Sequence, residues 1–295
     1  MTQRAILDFY SAPGEMTVIP EPAAEIKALP DELSELVRCV QGLLLHQQWA
    51  SAYDVALSAD RNEEPHLRSV AQMLHRLRAR DRRPLSVART LDARLVCICR
   101  HFSVLLVALL RAKGVPARAR CGFGTYFERD KFVDHWVGEY WNGNQARWIL
   151  VDAQLDELQR HKIRADFDPL DVPRDRFLVA GDGWARCRSS AADPAAFGIF
   201  GLRGLWFVAG NLLHDLAALN NKEMLPWDVW GAMVREGEPI AADRLALFDR
   251  IAALTRTPDS GFAALRALYK EDPRLSVPPV VFNALRQRPE PVFTD

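Results

Sequence analysis

A cysteine, a histidine and an aspartate in the middle of the chain have types and spacing that suit nucleophilic catalysis. Cys99 stands at the start of a predicted helix, and His135 and Asp152 stand in two predicted strands that follow it. A thiolate attacks acyl carbons, an imidazole carries the thiol proton, and a carboxylate fixes the tautomer of the ring. Cys99, His135 and Asp152 are therefore the candidate nucleophile, general base and orienting acid of a thiol enzyme.

The helix predicted over residues 99–113 places the cysteine where a thiolate is favoured. Leucines recur along it at helical spacing, and Gly114 and Pro116 end it. The first turn of a helix presents unpaired N–H groups and a partial positive charge, which favour a thiolate over a thiol. The same N–H groups can stabilise the oxyanion that forms when an acyl carbon is attacked.

Two strands predicted over residues 135–141 and 147–153 form a β-hairpin around Asn142-Gly143. If its loop is the four residues 142–145, Trp141 faces Ala146 and His135 lies directly opposite Asp152. Directly paired side chains share one face of a sheet, with their Cβ atoms about 5 Å apart. This register would let the imidazole and the carboxylate form a hydrogen bond, and a different loop would change it.

The other segments predict an α+β fold in which helices flank the strands. A strand over residues 117–127 precedes the hairpin, and its Gly122-Phe123-Gly124 fits a close approach within a strand better than a phosphate loop. Three domains are predicted: an extended lead-in over residues 1–30, a catalytic core over 31–190, and a helical extension packed on the core over 191–295. Helices are expected over 33–44, 65–80, 202–219, 227–234, 241–255 and 261–269, followed by a frayed polar tail.

Three blocks of the sequence together resemble the transglutaminase-like superfamily. CRHFSVLLVALLRAKGVPAR begins at Cys99, DHWVGEYW contains His135, and WILVDAQLD contains Asp152, in the order and spacing of that family's core. The resemblance covers roughly residues 85 to 156, and it implies a papain-like fold with a Cys-His-Asp triad. The sequence departs from the family pattern in two ways: Cys97 and Ile98 stand where the family has glycine near the nucleophile, and His101 stands where it often has aspartate.

The resemblance also implies which kind of relative this is. WFVAGNLLHDLAALNNKEMLPWDVWG, at residues 206–231, is similar to bacterial members rather than to the calcium-dependent crosslinking enzymes of animals. The expected activity is acyl transfer through a thioester, either as a protease-like or amidase-like hydrolase or as an amine acyltransferase. The expected substrate is a peptide, a protein, or a small amide or ester, and no cofactor, calcium or other metal is expected.

Composition narrows the partners and the location. Lys and Arg number 38, and so do Asp and Glu, so the net charge of zero gives no general attraction to nucleic acid or to an anionic membrane. No stretch of the sequence predicts a membrane span or a signal peptide. Five cysteines without a disulfide-like spacing predict a reducing, cytoplasmic setting.

Each candidate residue also has a purely structural interpretation. Cys99 could be a small buried hydrophobe, His135 a strand histidine bonded to Asp134 or Glu139, and Asp152 a strand-end cap. The whole fold could then serve as a non-catalytic binding or scaffold module. The joint placement of the three residues favours the catalytic interpretation.

Three further features leave alternatives open. A group of three cysteines and one histidine has the ligand types that bind zinc, but the spacing of these residues is poor for a tetrahedral site. Cys97, one of the three cysteines, could instead be a redox-active neighbour of Cys99 or a packed core residue. An arginine-rich stretch over residues 76–89 could contact phosphate, although such runs are more often solvated. One of three polar or indole side chains upstream of Cys99 could donate the second hydrogen bond of an oxyanion hole, and the spacing of the sequence does not show which of the three it is. The zinc group is Cys97, Cys99, His101 and Cys121, and the upstream group is Gln47, Gln48 and Trp49.

Overall fold

Helices and strands alternate irregularly along the described part of the chain, residues 2–20 and 23–293 of a computed structural model. Up to the strand that carries His135 the elements are α1 (Gln3–Ser11), α2 (Ala23–Lys27), α3 (Leu33–Leu43), β1 (Leu44–His46), α4 (Val70–Arg80), β2 (Leu95–Cys97), α5 (Cys99–Ala112), β3 (Ala117–Gly124) and β4 (Phe132–Asn142). Short 3-10 helices occupy Gln47–Tyr53 and Ala59–His66 between β1 and α4.

The later elements continue the mixture of helices and strands. They are β5 (Arg147–Val151), α6 (Glu157–Ile163), β6 (Phe177–Val179), α7 (Ala180–Arg188), β7 (Phe197–Ile199), β8 (Leu202–Arg203), α8 (Leu205–Ala218), β9 (Asp228–Val229), α9 (Ala242–Arg256), α10 (Phe262–Glu271), β10 (Val280–Asn283) and β11 (Arg288–Pro291). A third 3-10 helix lies at Pro194–Ala196. The predicted α+β class is confirmed.

The chain forms two compact units, and it passes between them within β3 and again within β4. The Cys99 unit comprises Leu7–Ala119 and Val137–Val172, and the His135 unit comprises Met1–Ile6, Arg120–Trp136 and Pro173–Asp295. This division differs from the predicted domains 31–190 and 191–295. The physical reason is that β7 pairs with the start of β4, Phe132 opposite Phe197, so the later part of the chain supplies strands to the sheet around His135.

In the Cys99 unit, a buried helix supports two sets of strands. Every residue of α5 from Cys99 to Arg111 is buried, and each fully buried leucine stabilises the fold by about 1.5–3 kcal/mol. The second half of β4 pairs antiparallel with β5 and lies on α5, since a Cβ atom at Gly138 would come within 3.4 Å of Leu106 Cδ2. On the chain that leads into α5, β2 pairs in parallel with β1.

In the His135 unit, strands follow the order β6-β3-β4-β7-β8, and α7, α8 and α9 pack against one another. Gly122 allows β6 to approach closely, because a Cβ atom there would lie 2.1 Å from the Leu178 carbonyl oxygen. A buried ion pair ties β3 to α8: the Arg120 guanidinium donates to both carboxylate oxygens of Asp215, at 3.0 and 2.8 Å. The ion pair therefore joins the strand and the helix within the interior of this unit.

Four predicted segments are corrected by the structure. The lead-in over residues 1–30 is helical at α1 and α2, and the helix expected over 65–80 begins only at Val70 because a 3-10 helix precedes it. Residues 227–234 form no helix: Gly231 has φ +51° and lies so close to Arg274 that β9 turns toward β10 instead. Within the predicted frayed tail, Arg288–Pro291 forms β11, which pairs with β10, and residues 294–295 lie outside the described residues.

Candidate active site

Cys99 occupies the first position of α5, as the sequence predicts. The residue is 8% exposed, so it lies just beneath the surface. Residue Ile98 before it is extended and has no polar side chain to cap the helix. Cys99 therefore stands at the N-terminus of a fourteen-residue helix, the end that carries the positive partial charge of the helix dipole.

A histidine in the first turn caps the helix that begins at Cys99. The N–H of Ile98 donates to Nδ1 of His101 at 3.4 Å, and Nε2 of the same ring lies 2.9 Å from the carbonyl oxygen of Leu67. A carbonyl oxygen only accepts, so Nε2 carries the proton and the ring is neutral. Burial first, and the Arg100 charge second, hold the pKa of His101 well below its ordinary value.

His135 lies on the first half of β4, in the His135 unit, and is buried. Its ring packs edge-on against an aromatic group, with its centroid 4.8 Å from that of Phe127 and about 6 Å from those of Tyr126 and Phe177. These rings restrict rotation of the imidazole and exclude water around it. The neighbouring Asp134 accepts a 2.6 Å hydrogen bond from Asn211, so this aspartate has a partner on α8.

Asp152 follows the last paired residue of β5 and lies in the Cys99 unit with Cys99. It is buried, its own N–H donates to the Pro169 carbonyl oxygen at 2.8 Å, and its Oδ1 accepts from the N–H of Gln154 at 3.1 Å. The backbone therefore fixes both the position and one oxygen of this carboxylate.

The predicted hairpin register is wrong by two residues. The observed pairs are Trp141 with Trp148 and Gly138 with Val151, so His135 is not the direct partner of Asp152. The loop occupies residues 143–146 instead of 142–145, because Asn142 remains in β4 and Ala146 adopts φ +49°. The Asn142 side chain stabilises this loop by accepting from the N–H groups of residues 144 and 145.

The upstream polar segment lies beside the entry to α5. His46 pairs with Cys97, so Gln47 and Ile98 are the next residues along two parallel strands. Gln47 donates to Asn62 at 3.4 Å, Gln48 is exposed, and Trp49 is half-buried. The oxyanion role predicted for one of these three residues stays unassigned.

The other cysteines have no catalytic feature in common with Cys99. All five thiols are free, and burial raises the pKa of Cys97 well above its ordinary value. Burial also raises the pKa of Cys187 to about 11. Within residues 2–20 and 23–293, no three His, Cys, Asp or Glu side chains are grouped to hold a metal ion.

Several residues that shape this site carry no obvious signal in the sequence. Glu64 is buried and accepts a 2.7 Å hydrogen bond from the N–H of Val96, in the strand before Cys99. The sequence marks His101 only as a departure from the family pattern and as a member of the candidate zinc group, because its contact with the Leu67 carbonyl depends on a distant segment. Periodicity alone does not identify Glu64, a buried carboxylate two residues before the end of a polar 3-10 helix.

Comparison with known proteins gives one family match. Residues 56–153 match the model of the transglutaminase-like superfamily, a segment that contains all three candidate residues. No curated protein matches the chain. Among the described residues, no helix has both the length and the apolarity required to cross a bilayer.

One solved structure shares part of the chain at low similarity. It is the crystal structure of a proposed cysteine protease from Cytophaga hutchinsonii, 17% identical, with 57% of this chain and 53% of that chain covered. The chain therefore spans about half the length of that protein. The TM-score is 0.20, so this likeness carries no argument about the site.

Proposed function

The chain carries a transglutaminase-like domain at residues 56–153, and from this premise we propose that the protein is a cysteine-nucleophile enzyme that transfers acyl groups through a thioester. The observation that carries the proposal is the place of Cys99 within the matched segment, at the first residue of a buried fourteen-residue helix. Cysteine, histidine and aspartate also follow one another there in the family's order.

In the first half of the proposed reaction, the Cys99 thiolate attacks the carbonyl carbon of an amide or ester. The bond between sulfur and carbon forms, and the carbonyl oxygen becomes an oxyanion that the N–H groups of the first turn of α5 can stabilise. His135, which took the thiol proton, returns it to the leaving amine or alcohol as the carbon–nitrogen or carbon–oxygen bond breaks. The product of this half is a thioester on Cys99.

In the second half, a nucleophile resolves the thioester. His135 removes its proton as its oxygen or nitrogen bonds to the acyl carbon, the carbon–sulfur bond breaks, and the Cys99 thiolate is restored as the acid or amide product leaves. Asp152 orients the imidazole and stabilises the imidazolium in both halves. Water as the acceptor makes the protein a hydrolase, and a primary amine makes it an acyltransferase.

The proposed substrate and cellular location of the protein are those expected from its sequence. A peptide, a protein, or a small amide or ester is the proposed acyl donor. A reducing, cytoplasmic location is part of the proposal because all five thiols are free and Cys99 must stay reduced to react.

A panel of activated esters, peptide amides and glutamine-containing peptides, each with and without a fluorescent primary amine, tests this function. We expect turnover by the wild type, no turnover by Cys99→Ala, and full turnover by the matched control Cys187→Ala, a half-buried thiol outside the matched segment. Release of free acid identifies water as the acceptor, and amine incorporation identifies transfer. Equal turnover in Cys99→Ala and wild type would refute the proposal and favour the non-catalytic scaffold.

A further inference from the structure

We propose that residues 61–67, here called the 61–67 clamp, position the nucleophile by holding the chain on both sides of Cys99. The proposal rests on the proposed function. Glu64 in the clamp bonds to Val96, three residues before the cysteine, and Leu67 bonds to His101, two residues after it. Glu64 and His101 are thus positioning residues that act through the backbone.

The upstream contact is a charge-assisted hydrogen bond to the strand that leads into the helix. The carboxylate of Glu64 is fully buried and accepts from the N–H of Val96 at 2.7 Å. Arg61 donates to the same carboxylate at 3.1 Å, and Arg80 forms an ion pair with it. The two guanidinium groups hold the carboxylate in place, and its bond to β2, at 2.7 Å, is short.

The chain just before that strand is held by the same clamp. The guanidinium of Arg61 donates to the carbonyl oxygen of Asp92 at 2.7 Å and also to that of Arg94. Arg61 therefore spans from the carboxylate of Glu64 to the last turn before β2. This fixes the direction in which the strand arrives at Cys99.

The downstream contact is the capping histidine. Nδ1 of His101 accepts a hydrogen bond from the N–H of Ile98, and its Nε2–H donates one to the carbonyl oxygen of Leu67. One ring therefore connects the start of the helix to the clamp. At the third helical position, Glu or Gln normally makes this backward bond to the residue before the helix. A histidine at this position also donates a hydrogen bond from Nε2 to the Leu67 carbonyl, which a shorter or apolar side chain cannot form.

The geometric consequence is a nucleophile held from both ends by one short segment. The backbone angles of Ile98 and Cys99 decide where the sulfur points and which N–H groups face an oxyanion. A displacement of about 1 Å at a reacting group can cost roughly 10²-fold in rate. A purely structural role of the clamp would affect unfolding but leave the reactivity of Cys99 in the folded protein unchanged.

The test compares three proteins: wild type, His101→Leu and His101→Gln. The measured quantities are the rate of Cys99 alkylation by iodoacetamide between pH 6 and pH 9, read by peptide mass spectrometry, and kcat and KM with the best acyl donor. We expect His101→Leu to lower kcat by roughly 10²-fold with little change in KM, and to move the alkylation profile to higher pH. We expect His101→Gln to restore most of both, because glutamine rebuilds the bond to Ile98.

One control variant and two further variants distinguish a positioning role of His101 from a general effect of substitution. His161→Gln, an exposed histidine on α6, should behave as wild type in every measurement. If His101→Leu does not fold, His101→Asn replaces it. The shorter amide of asparagine does not reach the Leu67 carbonyl, so we expect a partial loss of kcat and of Cys99 alkylation. Glu64→Gln keeps an acceptor for Val96 without the charge, and we expect it to lower kcat less than His101→Leu does.

Two results would overturn the clamp. In the first, the folded His101→Leu protein has the wild-type kcat and alkylation profile and only a lower unfolding temperature. In the second, folded His101→Gln is as impaired as His101→Leu. The alkylation measurement needs no turnover, so the clamp can fail or stand independently of the acyl-transfer function.

Discussion

Asparagine in place of Asp134 should stabilise the protein at neutral pH. This aspartate is 6% exposed on β4, and its Oδ1 accepts a 2.6 Å hydrogen bond from Asn211. Burial raises its pKa from 3.8 to about 6, against the opposing effects of the Asn211 bond and the neighbouring His135. An amide oxygen at the same place can still accept from Asn211, but carries no charge to desolvate.

The magnitude follows from the difference between the two pKa values. Each pKa unit corresponds to 1.36 kcal/mol, so ionising Asp134 in the folded protein costs about 3 kcal/mol more than in the unfolded chain. Because the folded pKa is the higher one, this cost is absent below about pH 3.8, grows through pH 6, and is complete above it. Asp134→Asn should therefore be more stable than wild type by up to about 3 kcal/mol at pH 7.5, with almost no gain at pH 4.

Urea unfolding at pH 4, 5, 6 and 7.5 measures this difference, with Asp175→Asn as the control. Asp175 is exposed in the same unit, so its substitution should change the free energy of unfolding little at any of these pH values. The reasoning is refuted if the gain from Asp134→Asn is the same at pH 4 and pH 7.5, or if the variant is less stable at both.

Three further predictions concern the fold around the site. Leu106→Ala should lower the free energy of unfolding by about 2–5 kcal/mol, because the fully buried side chain lies against Gly138; calorimetry or urea unfolding measures it, and a loss below 1 kcal/mol would contradict the packing of β4 on α5. Gly231→Ala should cost about 1–3 kcal/mol, because φ is +51° and the new Cβ would lie 1.9 Å from the Arg274 oxygen; a variant as stable as wild type would show that this turn is different. The contribution of His101 to stability should fall as pH drops below 6.5, because its lowered pKa means that the unfolded chain takes up the proton first; in urea unfolding, wild type should therefore lose stability relative to His101→Gln between pH 7.5 and pH 5, and a constant difference between the two proteins would contradict a neutral, buried ring.

The helix that carries the nucleophile could be predicted closely because its signals are local. Leucines at helical spacing and the Gly114 and Pro116 stop gave residues 99–113, and the structure has Cys99–Ala112. The strands around His135 and Asp152 were also found, since alternating aromatic and aliphatic residues mark them. Each of these features depends on neighbours within about one element.

The hairpin register could not be predicted, because it depended on one residue of the loop. If Asn142 begins the loop, Trp141 pairs with Ala146; if Asn142 ends β4, every residue of β4 pairs with a residue two positions later in β5. The left-handed conformation of Ala146 places this residue in the loop and so gives the second register. The sequence offered Asn142-Gly143 as a turn signal, but the four-residue loop begins at its second member.

Features built from distant segments were also beyond local reasoning. Strand β7 joins β4 from more than sixty residues away, by the count from Phe132 to Phe197, which is why the compact units differ from the predicted domains. The 61–67 clamp is similar: its sequence, RNEEPHL, is polar and typical of a surface loop, yet Glu64 is fully buried against two arginines and a strand N–H.

Activation of Cys99 by His135 is tested by the alkylation rate of Cys99 against pH in wild type and His135→Ala, with Cys99→Ala to identify the labelled peptide. A thiol without activation loses labelling roughly tenfold per pH unit below its pKa of about 8.5. We expect wild-type Cys99 to keep most of its pH 8.5 labelling rate at pH 6.5, and His135→Ala to lose it. A steep, ordinary profile that is identical in both proteins would contradict the central claim that Cys99 is a nucleophile activated by His135.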